Sequence, residues 1–529
     1  MYANSCNLGQ TVEMKHEKNF KSVGSFLSVG DIELWVINLL FMNRFDSNMP
    51  RPHALCALRS ACNNTQGSAL VLALVMVTIV TGMIGIIMMA VQLQWRFIRE
   101  EQNRIQALYL AEAGVYKTLW YLSGNGGKDI GWRPENELVE LFDDETASIT
   151  VKEWGGYLRI TSTAQARHVA KSLRALAGEM PSSAFQQAIV IGGVDYPLVV
   201  TGRNRIIGNV TVGPEGVKKG RIKGRDFDGE NLVDGKIDRQ NKPQRPYFNS
   251  ALFHNVLQKY LLVLADSAKH LLQSNNVVLS QIQDERIHVE GDLHINLNDS
   301  TQKVRGPKRI SSSKNVLING ATQILDNVEL VAGGKIIVTD HAVLRNCVLF
   351  ARTGIEVSGE SQINGQLLST GDIILKERSV LHYPSVVYCR STFADNAWRG
   401  RILLQDQTVV RGTLILDSGQ WKRSKENNET IVQITPNAKV VGAVYSMHNT
   451  EHRGQVIGSI ITGQVFLYES PTIYLNWLQD AITDRAQLPE GFLLPIGFSA
   501  QPQLDVLHWE EVKLNGEREM GRNGDEVKE

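Results

Sequence analysis

The sequence has no excess of charge of either sign. Fifty-five Lys and Arg stand against 55 Asp and Glu, for a formal net charge of zero. No chain-wide field exists to gather a polyanion, so nucleic acid is not expected as a partner. Cysteine is sparse: five in 529 residues, none in a CxxC spacing, which excludes a zinc or thioredoxin-type motif. Cys347 and Cys389 read as unpaired core thiols, with pairing in an oxidising compartment as the alternative. Proline is scarce beside glycine, 15 against 45, which favours a turn-rich β architecture over a Pro-rich disordered one. No HExxH, Walker loop or Ser-His-Asp order is present, so no catalytic residue is assigned and no cofactor is expected. The lack that organises the chain lies between Ser68 and Val91, where 24 residues pass without one Asp, Glu, Lys, Arg or His.

About 20 apolar residues cross a bilayer's hydrocarbon core as a helix, and a helix satisfies its backbone within the segment, as lipid requires. A soluble core helix of this length without a charge is uncommon. Membrane lipid is therefore the first expected partner, through Ser68–Val91. Residues 1–67 read as a leader or N-terminal extension, with Met49 as an alternative start and Arg51 and Arg59 ahead of the apolar run. Two basic residues flank the segment upstream and Arg96, Arg99 and Arg104 downstream, so the near flanks do not decide orientation; only if the leader begins at Met1 do Lys15, Lys18, Lys21 and Arg44 tip the count toward an N-terminus inside.

The helix pattern continues. Ile98, Ile105, Leu108, Val115, Leu119 and Leu122 are spaced 7, 3, 7, 4 and 3, one helical face, and Gly124-Asn125-Gly126 stops it. A helix from Ser68 to Leu122 would be about 80 Å long. These residues carry a resemblance. Gly67-Ser68 ahead of an apolar helix, followed by QALYLAEAGVYKTLWYL from Gln106 to Leu122, resembles the N-terminus of PilX-type minor pilins. The resemblance implies prepilin-peptidase cleavage between Gly67 and Ser68 and an exposed helix half carrying Ala111-Glu112-Ala113. It also implies pilins or secretion-system components as partners, against a face of Ile98, Ile105, Leu108, Glu112, Val115 and Leu119. The chain departs from the pattern at Gln66, where Lys or Arg is usual, and at Leu72, where major pilins carry Glu.

ASITVKEW and YLRITST alternate about Gly155-Gly156 and predict two antiparallel strands; His168–Ala177 reads as either strand or helix. Short β-type runs punctuated by Gly from Ala188 to Ile237 predict stacked β-arcs. A helix is expected over Asn249–Gln273, with Leu252, Val256, Tyr260, Val263 and Leu271 on one face. Val328, Cys347, Gln366 and Ser385 then open segments 19 residues apart, each turning at a Gly (Gly334, Gly354, Gly371). Such units bury their apolar side only by stacking, so the pattern predicts a parallel β-helix with Ile336, Ile355 and Ile373 in its core. The rungs resemble bactofilin-like and adhesin-like solenoids in architecture. Pro471–Arg485 reads as an amphipathic helix capping the open end, and the tail from Glu510, with seven acids against four bases, reads as disordered.

The expected fold is thus mainly β with a long N-terminal α-helix: a transmembrane pilin-like helix, a small antiparallel sheet, then a parallel β-helix with an inserted helix and a C-terminal helical cap. The boundaries are 1–67, 68–123, 124–182, 183–247, 248–275, 276–470, 471–509 and 510–529. Asp226, Asp228, Glu230 and Asp234 are a candidate cation loop, although the spacing fails the EF-hand pattern and a solvated acidic loop is the default. Lys218, Lys219, Arg221, Lys223 and Arg225 form a basic run that these acids could neutralise. Two further function classes remain open: an envelope-tethered carbohydrate-active enzyme, with Asp340, Glu360 and Glu377 in turns at irregular offsets, and a cytoplasmic bactofilin-like scaffold.

Overall fold

The computed structural model describes residues 68–124, 131–142, 145–193, 195–243, 246–265, 271–273, 285–298, 305–394, 397–418 and 432–513. The leader, Gly67 and the tail beyond residue 513 lie outside the described residues. The chain forms two units, one up to Gln94 and one from Trp95 onward.

One helix, α1, runs over Ser68–Leu122. No proline interrupts it, and it ends where Gly124 takes a φ of 82° and the Ser123 hydroxyl donates to the Leu119 carbonyl at 2.9 Å. Behind it come four antiparallel strands: β1 (Glu137–Glu140), β2 (Thr146–Trp154), β3 (Tyr157–Ala166) and β4 (Val169–Glu179), ordered as in the sequence. Strand β4 is the segment that periodicity left between strand and helix. A fifth strand, Leu504–Val512, pairs with β4, so the sheet is closed by the far end of the chain. The expectation of disorder from Glu510 is corrected here: Glu510 pairs with Arg174, and Glu511 sits 2.8 Å from the nearly buried Lys171. The acids belong to a strand because basic residues of β4 face them.

The large element is a parallel β-helix. Ile336 stands opposite Ile355, Ile355 opposite Ile373, and Ile373 opposite Ile402, all at most 1% exposed. The repeat arises because each rung buries one column of Leu, Ile and Val against the next. One corner of each rung carries the expected glycines. At the other corner two successive residues take positive φ, as in Asp340-His341, Gly359-Glu360, Glu377-Arg378 and Asp406-Gln407. Farther along, Gly412, Gly442 and Gly458 stack in register. A Cβ on Gly442 would lie 1.9 Å from the Gly412 carbonyl oxygen, so only glycine fits that column.

The rungs are not stacked in chain order. Ile189–Ile191 pairs in parallel with Ile460–Thr462 of the strand Gln455–Glu469, Val210–Val212 stacks next, and Ile237–Arg239 after it. The Gly-rich arcs therefore extend the β-helix at its C-terminal end. The expected helical cap at Pro471–Arg485 is corrected: this stretch forms strands Thr472–Leu475, Trp477–Gln479 and Ile482–Asp484. Asn476 and Asp480, both at positive φ, break it every four residues, and that interval is what imitates a helical period.

From the last arc the chain returns to the first rungs through α2 (Ser250–Ala265), shorter than the expected helix to Gln273. Leu271 lies instead in a strand, Leu271–Gln273, paired with His288–Glu290. Phe253, Val256, Leu257 and Tyr260 of α2 are buried against an apolar outer face of the β-helix that includes Val348, Phe350 and Tyr388. Tyr260 stacks on Phe350, centroids 5.5 Å apart, and Phe253 on Tyr388 at 4.6 Å. Trp154 and Tyr157 of the small sheet enter the same cluster.

Glu179, at the end of β4, clasps this junction. Its backbone bonds Leu494 in both directions at 2.8 Å, and Oε2 accepts the N–H groups of Gly497 and Phe498 at 2.8 and 2.9 Å. The side chain is fully buried, and Oε1 has no hydrogen-bond partner among the described residues. Burial pushes the carboxyl up to about 7 against the lowering by those two N–H groups. The folded state thus holds a proton that the unfolded chain releases near pH 4.5. Stability falls as pH rises from there to about 7 and levels off above, by about 3 kcal/mol in total. Glu179→Gln is expected to flatten that slope, measured by denaturant unfolding at pH 5 and pH 8; an unchanged slope would assign it to other groups.

Candidate membrane anchor and helix-docking face

The two halves of α1 have opposite surroundings. Residues 69–91 are all exposed, Leu70 at 74% and Ile86 at 71% among them. By length and composition this helix is apolar enough to cross a membrane.

In the second half, one side of the helix lies on the small sheet. Ala107, Leu110, Ala111, Val115, Leu119 and Leu122 are buried with Ile149, Val151 and Ile160 of β2 and β3. The approach is tight at Gly114, where a Cβ would sit 2.4 Å from Ser162 Oγ and 2.9 Å from Ala147 Cβ. Ala107, Ala111, Gly114 and Thr118, spaced 4, 3 and 4, form a small-residue seam that lets the backbones come together. Thr118 completes it by donating to the Gly114 carbonyl at 2.7 Å. This gives the Ala-Glu-Ala stretch its physical reason: Ala111 must be small, while Glu112 is half-exposed beside the seam.

The sequence-predicted face divides in the structure. Val115 and Leu119 are on the sheet, and Leu108 is half-buried against it. Ile98 and Ile105 are 49% and 44% exposed. Steps of seven drift on a helix of 3.6 residues per turn, so Ile98 and Leu122 end about 120° apart. Sequence reasoning missed Asn103, Ala107 and Thr118, which are buried; the four-residue recurrence of small side chains was the available signal. It also missed the opposite, aromatic side, where Tyr109, Tyr116 and Trp120 are 65%, 52% and 49% exposed. Tyr116 meets Trp509 of the C-terminal strand, centroids 5.7 Å apart. Ser68 opens the helix.

The acidic loop does not converge. Asp226 lies 3.7 Å from Arg221, Asp234 accepts from Asn231 at 3.1 Å, and Asp228 and Glu230 are exposed. Among the described residues no three His, Cys, Asp or Glu side chains are grouped to hold a metal. The basic run is largely matched: Lys218 by Glu215, Lys223 by Glu469 and Arg225 by Asp480, with Lys219 over the Phe227 ring. Asp340 and Glu377 occupy the first left-handed position of their turns and Glu360 the second, which is why their offsets looked irregular. Glu360 is held between His341 and Arg378. Cys347 and Cys389 are free thiols in the β-helix core, and burial pushes the Cys347 thiol up to about 12, so it stays protonated and inert.

No family model matches the chain, and no curated protein matches it. Among solved structures the chain is similar to the competence-associated pilin ComZ from Thermus thermophilus at 11% identity, over 78% of this chain and 97% of that one. The TM-score is 0.17, and a likeness that loose carries no argument about fold or function.

Proposed function

We propose that the chain is a pilin-like structural protein, a component of or accessory to a type IV pilus or type II secretion-like machine. It is moored in the cytoplasmic membrane by Ser68–Val91 and displays its β-helix on the outer side. The supporting observation is the division of α1, with an apolar, wholly exposed first half and a second half seated on an antiparallel sheet by a seam of small residues. A protein that only needed an anchor would not require the second half to be built into a domain. In this reading Gly67–Ser68 is the cleavage point. Ile98, Ile105, Tyr109, Tyr116 and Trp120, left exposed by the sheet, are what neighbouring helices of the assembly cover.

Topology is the direct test. Alkaline phosphatase fused after Asn125 is expected to be active. Activity confined to a cytosol-only reporter at that position would overturn the reading in favour of a cytoplasmic scaffold. Co-expression with a prepilin peptidase is expected to give a mature N-terminus at Ser68 by mass spectrometry; an intact leader would reduce the relation to an uncleaved anchor.

A further inference from the structure

Along one flank of the β-helix, the corners of successive rungs form the floor of an open groove of about 610 Å³. The hairpin Thr392–Ala394 with Ala397–Arg399 leaves the rung at this corner, and Arg399, Gly400 and Arg401 line the groove beside it. Lys335, Arg352, Arg399 and Arg401 bring four cations to the groove, Glu356 and Asp372 two acids. The acids are already engaged. Arg401 grips Asp372 with Nη2 at 2.6 Å and Nε at 3.1 Å, and Lys376 holds Glu356 at 2.7 Å. Lys335 and Arg352 are exposed, and no carboxylate pairs with either among the described residues. They stand on neighbouring rungs, since Lys335 is opposite Gly354 and Arg352 precedes that residue by two.

We propose that this groove binds an acidic oligosaccharide, a glycan chain whose carboxylates pair with Arg352 and Lys335. Strands in a ladder are about 4.8 Å apart, so an extended ligand running along the β-helix axis meets a fresh corner at that interval. A guanidinium takes a carboxylate in a planar two-bond pair. The groove also offers Thr353, Thr370 and Thr392; Thr370 Oγ1 already donates to the Arg352 carbonyl at 2.6 Å and can accept from a sugar hydroxyl. A continuous polyphosphate fits less well. Asp372 and Glu356 would oppose a charge on every unit, whereas a chain with charges spaced between hydroxyls can place hydroxyls against them. The inference does not depend on the pilin reading, because binding is measured on the isolated chain whichever side of a membrane it occupies.

The test uses the purified full chain in detergent micelles, titrated calorimetrically with a tetramer of galacturonic acid. Saturable binding is expected, weakening as salt rises. It should fall at least tenfold in the Lys335→Ala/Arg352→Ala double variant and stay unchanged in Arg411→Ala, which alters an exposed cation outside the groove. The melting temperature of each variant checks its folding. Absence of saturable binding to the unaltered chain would overturn the proposal. So would equal affinity for neutral maltotetraose or for inorganic phosphate, tighter binding of a single-stranded oligonucleotide, or full binding by the folded double variant.

Discussion

Val115→Asp is expected to detach the second half of α1 from its sheet, at a cost of at least about 4 kcal/mol. Val115 is 0% exposed and packs in the cluster with Ile149, Val151 and Ile160. A carboxylate there has no water, and the seam of Ala111, Gly114 and Thr118 is too tight to admit one. The charge must either neutralise, at a cost set by the shift in its titration, or push the helix away. The same substitution at Ile105, on the exposed side, should cost only tenths of a kcal/mol in the isolated protein. Hydrogen exchange across residues 103–122 separates the outcomes. Loss of protection in Val115→Asp with retention in Ile105→Asp is expected; equal protection in both would mean that the sheet does not hold the helix.

Asp417→Ala is expected to cost about 3–5 kcal/mol. Asp417 is fully buried, and its Oδ2 accepts from Ser250 Oγ at 2.6 Å, Tyr388 OH at 2.8 Å and Arg390 Nη1 at 3.2 Å. One carboxylate thereby ties the first residue of α2 to two rungs of the β-helix. Burial and the Asp417 charge push the Tyr388 hydroxyl well above its usual range, so Tyr388 keeps its proton and remains a donor. Removing the carboxylate leaves a buried hydroxyl and a guanidinium that is 27% exposed without this acceptor. Asp417→Asn keeps an acceptor and should cost roughly half as much by the usual worth of a charged hydrogen bond. Thermal unfolding of the two variants checks the order; equal melting temperatures would show that the network adds no stability.

Much of this fold was legible because its rules are local. A run without charge marks a helix in an apolar medium, and a spacing near 19 with glycine at a corner marks a rung. Ile336, Ile355 and Ile373 could be placed in one column from spacing alone, and they stand in register. What failed was of two kinds. Period was misread where short strands are cut by left-handed residues, as at Asn476 and Asp480, because breaks four residues apart between strands of three or four residues reproduce the interval of a helix. Long-range pairing left no trace in period at all: LDVLHWEEV gives no sign that it pairs with β4, nor IVI at Ile189 that it stacks beyond Ile460. The candidate docking face was half legible. Large apolar residues were counted and small ones passed over, yet on a helix pressed against a sheet the small residues mark the contact.

The out-of-order stacking of the rungs has a consequence for how the molecule is made. In an ordinary solenoid each repeat can fold on its predecessor as it emerges. Here the arcs of residues 189–239 are synthesised before the surface they rest on, which is complete only when the strand Gln455–Glu469 exists. The small sheet likewise waits for Leu504–Val512. Both early regions therefore remain unfinished until almost the whole chain has been delivered, and folding depends on contacts of long sequence separation, which form slowly. A chain truncated before residue 455 is expected to lose its N-terminal arcs and its sheet edge together, although every residue of those arcs is still present.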